Sequence, residues 1–147
     1  MEVRKRLPDR VAPACCAGPP PAGLRRGIEE FNRGRYFEAH ETLEALWIAE
    51  PGDRRLLYQG ILQVGVGLYH LRRRNYRGAV NLLAYGLDKL GRLPARCLGV
   101  DVAALSAGAA ACRQAVLALG PARLDGFDWR LAPIIVLYES SEARSVH

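Results

Sequence analysis

The stretch of residues 54–73 most strongly constrains what this chain can fold into. Its apolar residues recur on nearly every side of a helical wheel, and a helix with that pattern is normally buried at the centre of a protein. The stretch also contains Gly60, Gly65 and Gly67, although each glycine costs a helix about 1 kcal/mol relative to alanine. A helix contains glycines at such a cost where the backbone of a neighbouring helix must pack closely against it. The pattern therefore predicts a central helix with neighbours packed tightly against it.

Four further stretches carry apolar residues at helical spacing and predict helices over 22–33, 36–50, 76–90 and 101–119. Asp53 and Asp101 stand just before two of the helices and are predicted to cap them. The residues 127–138 contain Pro133 and a β-branched run, which indicates extended chain packed on the helices, or one short strand. The predicted fold class is all-α, a compact bundle of about five helices with a short extended C-terminal segment.

A faint internal repeat indicates how the helices are arranged. Residues 32–39 resemble residues 73–79 at an offset of about 40 residues, which is within the range of helical-hairpin repeats. In each copy a helix ends, a short turn follows, and a tyrosine opens the next helix, with an alanine three positions later. The sequence therefore predicts two stacked helical hairpins.

The length of 147 residues suits one domain. We expect residues 1–21 to be a disordered arm, residues 22–138 a single helical domain, and residues 139–147 a disordered tail. No secretory signal is visible, and the longest apolar run, residues 61–71, is shorter than the roughly 20 residues that a membrane span needs. These features predict a cytoplasmic protein without a membrane partner.

The cysteines and the charge give weaker indications. Cys15, Cys16, Cys97 and Cys112 form no CxxC pair, which is unlike a zinc site or a disulfide framework. We therefore expect reduced thiols. The net charge of +6 permits contact with nucleic acid or an anionic surface without identifying either.

Polar residues on the second and third helices indicate where chemistry could occur. His40 and Glu44 are one helical turn apart and share a face. Gln59, Gln63 and His70 lie within about 40° of one another on a helical wheel. We expect the two helices to turn these side chains toward each other. The predicted polar cluster comprises Asn32, His40, Glu41, Glu44, Gln59, Gln63 and His70.

Three interpretations of the cluster remain open. Buried polar groups cost about 1–3 kcal/mol each when unpaired, so the cluster is a closed hydrogen-bond network, a ligand pocket or a catalytic site. A metal is not predicted, but the candidates are His40 and Glu44 of a His-Glu-x-x-Glu helix, with His70 as a third ligand. The sequence lacks the second Glu-x-x-His motif of di-iron bundles.

A basic group stands between the third and fourth helices. Arg72, Arg73, Arg74 and Arg77 have Tyr69 and Tyr76 beside them, a combination that can hold phosphate or stack on bases. The alternative is a solvated helix end, where cations complement the C-terminal dipole.

Three blocks of the chain resemble the signature blocks of a bacterial and archaeal family, domain of unknown function 309. The blocks are FNRGRYFEAHETLEALW (31–47), YQGILQVGVGLYH (58–70) and NYRGAVNLL (75–83). The resemblance extends over residues 24–119 and implies a compact all-α fold without supplying an activity. The family's motif positions that it implies here are Asn32, Tyr36, His40, Glu41, Glu44, Trp47, Gln59, Gln63 and His70.

The sequence leaves several functions open. The first is a helical domain whose polar cleft binds a small ligand or a partner segment. The second is a metal-assisted, hydrolase-like enzyme with a histidine and a glutamate of the cluster as base, acid or ligands. The third is a weak RNA-binding module. The sequence leaves the cofactor unknown, and a homodimer is compatible with it.

Overall fold

A computed structural model describes residues 6–138 of the chain. Within them the α-helices are α1 (Ala22–Asn32), α2 (Tyr36–Ala49), α3 (Arg55–Arg72), α4 (Tyr76–Leu90) and α5 (Val102–Leu119). The strands β1 (Arg96–Cys97) and β2 (Val100–Asp101) pair antiparallel, and short 3-10 helices cover Pro13–Cys16, Pro121–Gly126 and Trp129–Leu131. The predicted all-α class is confirmed, and each predicted helix is present within two residues of its expected ends.

The central position of α3 is also confirmed. Eleven of its residues are buried, including Ile61 and Leu68, which have no exposed surface. The predicted close approach occurs on the side of α4. A Cβ added at Gly67 would lie 2.9 Å from Leu83 Cγ, so α4 contacts the α3 backbone directly at this point. The glycines of α3 therefore lower the helix propensity of this segment, but they allow the neighbouring helices to pack closely against its backbone.

The four helices α1–α4 form two equivalent hairpins. In the first, Leu43 of α2 packs onto Gly27 of α1, with 2.9 Å between Cδ2 and an added Cβ. In the second, Leu83 of α4 packs onto Gly67 of α3 at the same sequence offset. The two matching glycine–leucine contacts confirm the predicted hairpins, and the packing of α2 against α3 confirms that the hairpins stack.

The turns of the two hairpins match as well. Gly34 in the first turn and Arg74 in the second both have a left-handed backbone, with φ of 78° and 61°. The N–H of Gly34 donates to the Phe31 carbonyl at 2.9 Å, and the N–H of Arg74 donates to the Leu71 carbonyl at 3.0 Å. Each turn reverses the chain with the same hydrogen-bond pattern. Gly34 lies beside Arg72 at the end of α3, so both turns lie at one end of the bundle.

The segment before α1 differs from the expected disordered arm. Val11 is buried, and its N–H donates to the Arg92 carbonyl at 2.7 Å. Cys16 forms a disulfide with Cys97, which fastens the segment to β1. The prediction of reduced thiols is therefore wrong for these two cysteines, while Cys15 and Cys112 are free. A cytoplasmic location stays a prediction, and a disulfide counts against it because reducing compartments rarely preserve one.

The C-terminal segment is extended over residues 132–138, whereas Trp129–Leu131, which was also predicted to be extended, forms a 3-10 helix. Its Leu137 forms an isolated antiparallel bridge with Val100 of β2, and the N–H of Tyr138 donates to the Gly99 carbonyl. Asp101 caps α5 by accepting from the Ala104 N–H. The corresponding prediction for α3 is wrong, because the residue at its N-cap is Arg54 and no side chain caps it. The predicted disordered tail, residues 139–147, lies outside the described residues.

Among the described helices, α5 alone is long and apolar enough to cross a membrane. Its 18 residues have a mean hydropathy of 1.5. The core helix of a soluble protein passes the same test of length and composition. One face of α5 is buried, and the guanidinium of Arg113 donates to the Val80 carbonyl of α4. This apolar stretch is longer than residues 61–71, which were expected to be the longest.

Candidate binding groove

One side of α3 stays open to solvent between α2 and α4. Every partly exposed residue of α3 before Arg72 falls within about 120° on a helical wheel, and all the others are buried. We call this side the α3 groove. The neighbouring helices border it, since Phe37 of α2 contacts Tyr69 and a Cβ at Gly60 would lie 3.4 Å from Lys89 Cβ of α4. The α3 residues of the groove are Gln59, Leu62, Gln63, Val66, Tyr69 and His70.

Two amide oxygens in the groove have no hydrogen-bond partner. The Oε1 atoms of Gln59 and Gln63 are both buried, and no described donor reaches either. The two residues are one helical turn apart, so their side chains share the groove face of α3. An unpaired buried acceptor costs about 1–3 kcal/mol. This part of the predicted cluster is therefore not a closed network.

A row of rings crosses from α2 to α3 along the groove. The ring centroids of Phe37 and His40 are 6.3 Å apart, those of Phe37 and Tyr69 6.0 Å, and those of Tyr69 and His70 6.2 Å. The two imidazoles thus belong to one continuous aromatic surface. Sequence reasoning missed Phe37 and Tyr69 as members, although Phe37 stands three residues before His40 on the same helical face.

The α2 carboxylates take different positions. Glu44 Oε2 lies 3.8 Å from His40 Nε2, and both side chains are substantially exposed, at 46% and 32%. Glu41 lies on another side of α2, where it lines a cavity of about 490 Å³ together with Arg26 and Glu30 of α1. Glu41 is therefore separated from the groove, whereas His40 and Glu44 form an exposed pair on the α2 side.

His70 is held at the α4 side by the start of that helix. Its Nδ1 lies 3.3 Å from Asn75 Nδ2, and the Oδ1 of Asn75 accepts from the Gly78 N–H to cap α4. A Cβ at Gly78 would lie 2.7 Å from the His70 ring. The absence of a side chain at this position lets the imidazole pack against α4.

Three of the predicted site residues have structural contacts outside the groove. Asn32 binds the C-terminal segment, since its side chain donates to the Ile135 carbonyl at 2.9 Å and accepts from the Ile135 N–H at 2.7 Å. Tyr36 is buried, and burial raises the pKa of its hydroxyl although the Arg72 guanidinium acts in the opposite direction. Trp47 packs against the hydrophobic core. Asn32 and Tyr36 therefore lie outside the cluster that the other motif positions were expected to form.

The groove also differs from a metal centre in its donors. Among residues 6–138, no group of three or more histidine, cysteine or acidic side chains is placed to hold a metal ion. His40 and Glu44 supply one nitrogen and one carboxylate, and catalytic zinc sites normally use three protein ligands.

Replacing an unpaired glutamine with a similar apolar residue is expected to stabilise the protein. For Gln63→Met we expect the free energy of unfolding to rise by about 1 kcal/mol, because the buried acceptor disappears and the two residues have similar helix propensities. Gln114→Met is the matched control, since Gln114 is exposed on α5, and should change stability by less than about 0.5 kcal/mol. Urea unfolding measures both. A loss above 1 kcal/mol in Gln63→Met alone would mean that the amide has a partner in solution.

Comparison with known proteins finds a family match over α1–α3 and the first half of α4. The model of a domain of unknown function (DUF309) matches residues 24–82, which is shorter than the resemblance over residues 24–119. Over 59 residues the chain is 47% identical to the uncharacterized protein YpuF of Bacillus subtilis (strain 168). That alignment covers 39% of this chain and 34% of YpuF, so the chain spans about a third of the relative's length. No solved structure matches the chain significantly. Residues 24–82, which hold both hairpin turns and the α3 residues of the groove, therefore match the domain of unknown function 309 family.

Proposed function

We propose that this chain is a binding module whose α3 groove takes a ligand or partner segment with a hydrogen-bond donor on an apolar body. The observation that carries the proposal is the pair of unpaired amide oxygens at Gln59 and Gln63. Both oxygens are buried in the free protein, so a donor would reach them once the amide side chains turn toward the groove, and it would then remove the desolvation cost that these atoms bear. Polar groups of this kind fix orientation in ligand sites that are otherwise apolar.

The apolar part of such a ligand has a matching surface. Phe37 is 51% exposed although it touches Tyr69, so an aromatic face is open at the α2 side of the groove. On the α4 side Tyr85 is 50% exposed, and the Lys89 ammonium lies 5.8 Å from its ring centroid. Flat apolar groups next to buried acceptors suit a planar ring that carries an N–H.

The metal-assisted hydrolase has less support. It needs His40, Glu44 and a third donor, and the candidate His70 has its Nδ1 beside Asn75, at the α4 side of the groove. The Glu44 carboxylate is about half exposed, so its electrostatic effect on a reacting group would be screened by water. The binding role accounts for the unpaired buried acceptors, whereas the enzyme would leave them unexplained.

Indole and 1-methylindole test the proposal, because they share a planar ring and differ by one N–H donor. We expect indole to shift the side-chain amide signals of Gln59 and Gln63 in a ¹⁵N–¹H correlation spectrum. One neutral hydrogen bond contributes about 1 kcal/mol, so indole should bind about fivefold more tightly than its methylated analogue.

Two variants separate the groove from general hydrophobic binding. In Gln59→Met/Gln63→Met the preference for indole should vanish while both probes still bind. In Gln114→Met it should persist. Equal affinity of the wild type for both probes, or signals that shift mainly outside the groove, would overturn the proposal.

A further inference from the structure

The two hairpin turns bring their arginines to one end of the bundle. Gly34, in the first turn, lies next to Arg72, with 3.1 Å between an added Cβ and the guanidinium nitrogen Nη2. The first turn contributes two arginines that sequence reasoning left out, and the second contributes four. We call the six together the arginine end, and all are exposed: Arg33, Arg35, Arg72, Arg73, Arg74 and Arg77.

None of these six arginines has an acidic partner among the described residues, whereas some arginines elsewhere do. Arg26 pairs with Glu30, and Arg92 pairs with Asp88. Near the arginine end, Asp128 is occupied by Arg130, which contacts it through two guanidinium nitrogens at 3.0 Å. The positive charge at the arginine end is therefore not neutralised within residues 6–138.

Aromatic rings accompany these charges. The Arg72 guanidinium lies 4.7 Å from the Tyr36 ring centroid and 5.7 Å from that of Trp129. Arg73 lies 5.6 Å from the ring of Tyr69. Trp129 is 41% exposed, so part of its face is open for stacking. Exposed rings beside phosphate-binding cations are the two parts of a surface for single-stranded nucleic acid.

The backbone of Arg74 adds a third observation. Its φ of 61° is left-handed, a conformation that costs a residue with a side chain free energy and that glycine adopts readily. The equivalent turn position in the first hairpin is Gly34, with φ of 78°. The second turn thus carries a cation at a position where the backbone favours glycine.

We propose that the arginine end binds the phosphate backbone of single-stranded RNA, with bases stacking on the exposed ring of Trp129. Guanidinium groups match phosphate oxygens in a bidentate manner. The rings favour unpaired bases over an acidic protein segment, which has no flat faces to stack, and over a duplex, whose bases are already stacked. This surface adjoins the α3 groove at Tyr69, but none of its six arginines is a groove residue and neither Gln59 nor Gln63 belongs to it, so either proposal can fail without the other.

Fluorescence anisotropy with a labelled oligouridine of about 15 nucleotides tests this inference. Six neutralised phosphates predict that log K falls against log salt concentration with a slope of about −4, since each contact on a single strand contributes about 0.7. Affinity should therefore fall about 300-fold between 50 and 200 mM salt. A slope shallower than about −1 would overturn the proposal.

Charge-matched variants locate the contact. Arg33→Gln/Arg35→Gln should make the slope shallower by about 1.4. The control Arg10→Gln/Arg123→Gln removes the same charge from exposed arginines on other elements and should leave the slope unchanged. Equal loss in both pairs would mean that net charge alone causes binding.

Arg74→Gly separates binding from folding. This change removes one cation and relieves the left-handed backbone strain, so Tm should not fall while the slope becomes shallower by about 0.7. Unchanged RNA affinity in this variant and in Arg33→Gln/Arg35→Gln would overturn the proposal. Polyglutamate that displaces the RNA at equal charge concentration would instead identify an acidic protein as the partner class.

Discussion

Reduction of the Cys16–Cys97 disulfide is expected to lower the free energy of unfolding by about 4 to 5 kcal/mol. The two cysteines are separated by 81 residues, and a crosslink that closes a loop of this length removes a large part of the entropy of the unfolded chain. In the folded protein the bond ties the first 3-10 helix to the β1–β2 hairpin. Its loss should therefore also release residues 6–21 from the surface.

Urea unfolding with and without a reducing agent measures this effect. Cys97→Ser should reproduce the loss without any reductant. Cys15→Ser is the control, because Cys15 is the free neighbour of Cys16 and is only partly buried, so its replacement should change stability little. Identical unfolding curves of the wild type with and without reductant would show that the crosslink does not form or does not stabilise the fold.

Gly86→Ala is expected to destabilise the protein by about 2 kcal/mol, although alanine is the better helix former. A Cβ at this position would lie 2.7 Å from Val64 Cγ2 and 3.0 Å from both Val64 N and Gly60 O. Two of these three atoms belong to the α3 backbone and cannot rotate away. The α3–α4 contact would have to open, and overpacking of this kind costs about 1–3 kcal/mol.

Gly65→Ala provides the comparison on the opposite side of α3. There the nearest atoms to an added Cβ are those of the Phe31 ring at 3.4 and 3.5 Å, which is ordinary contact. This variant should gain up to about 1 kcal/mol from helix propensity. Thermal unfolding measures the stability of both variants. A Gly86→Ala protein as stable as the wild type would show that α3 and α4 are not packed as closely as described.

The sequence was sufficient to predict the helices and the repeat, because both depend on local spacing. The all-round apolar pattern of α3 could only be satisfied at the centre, and the matching tyrosine and alanine positions marked two hairpins. The Cys16–Cys97 pairing could not be predicted in this way. It joins a proline-rich segment to a two-residue strand, and neither has a periodic pattern that shows which residues meet.

The candidate site was predictable only in part. The glutamines and His70 share one face of α3, and a helical wheel finds such a set. Asn32 and Tyr36 belong to the same signature block as His40, but one holds Ile135 and the other enters the core, and a shared block does not distinguish these uses. Arg33 and Arg35 were overlooked because their relation to Arg72 depends on how the two hairpins stack.

The bond between Cys16 and Cys97 makes residues 16–97 a covalent ring, and this ring contains all of α1–α4. The segment that matches the family lies wholly inside it. A single cut in the peptide backbone within the ring would open the circle without separating any piece from the rest. Both hairpins would then remain tethered to each other, and the groove could reassemble from a nicked chain for as long as the sulfur bridge survives.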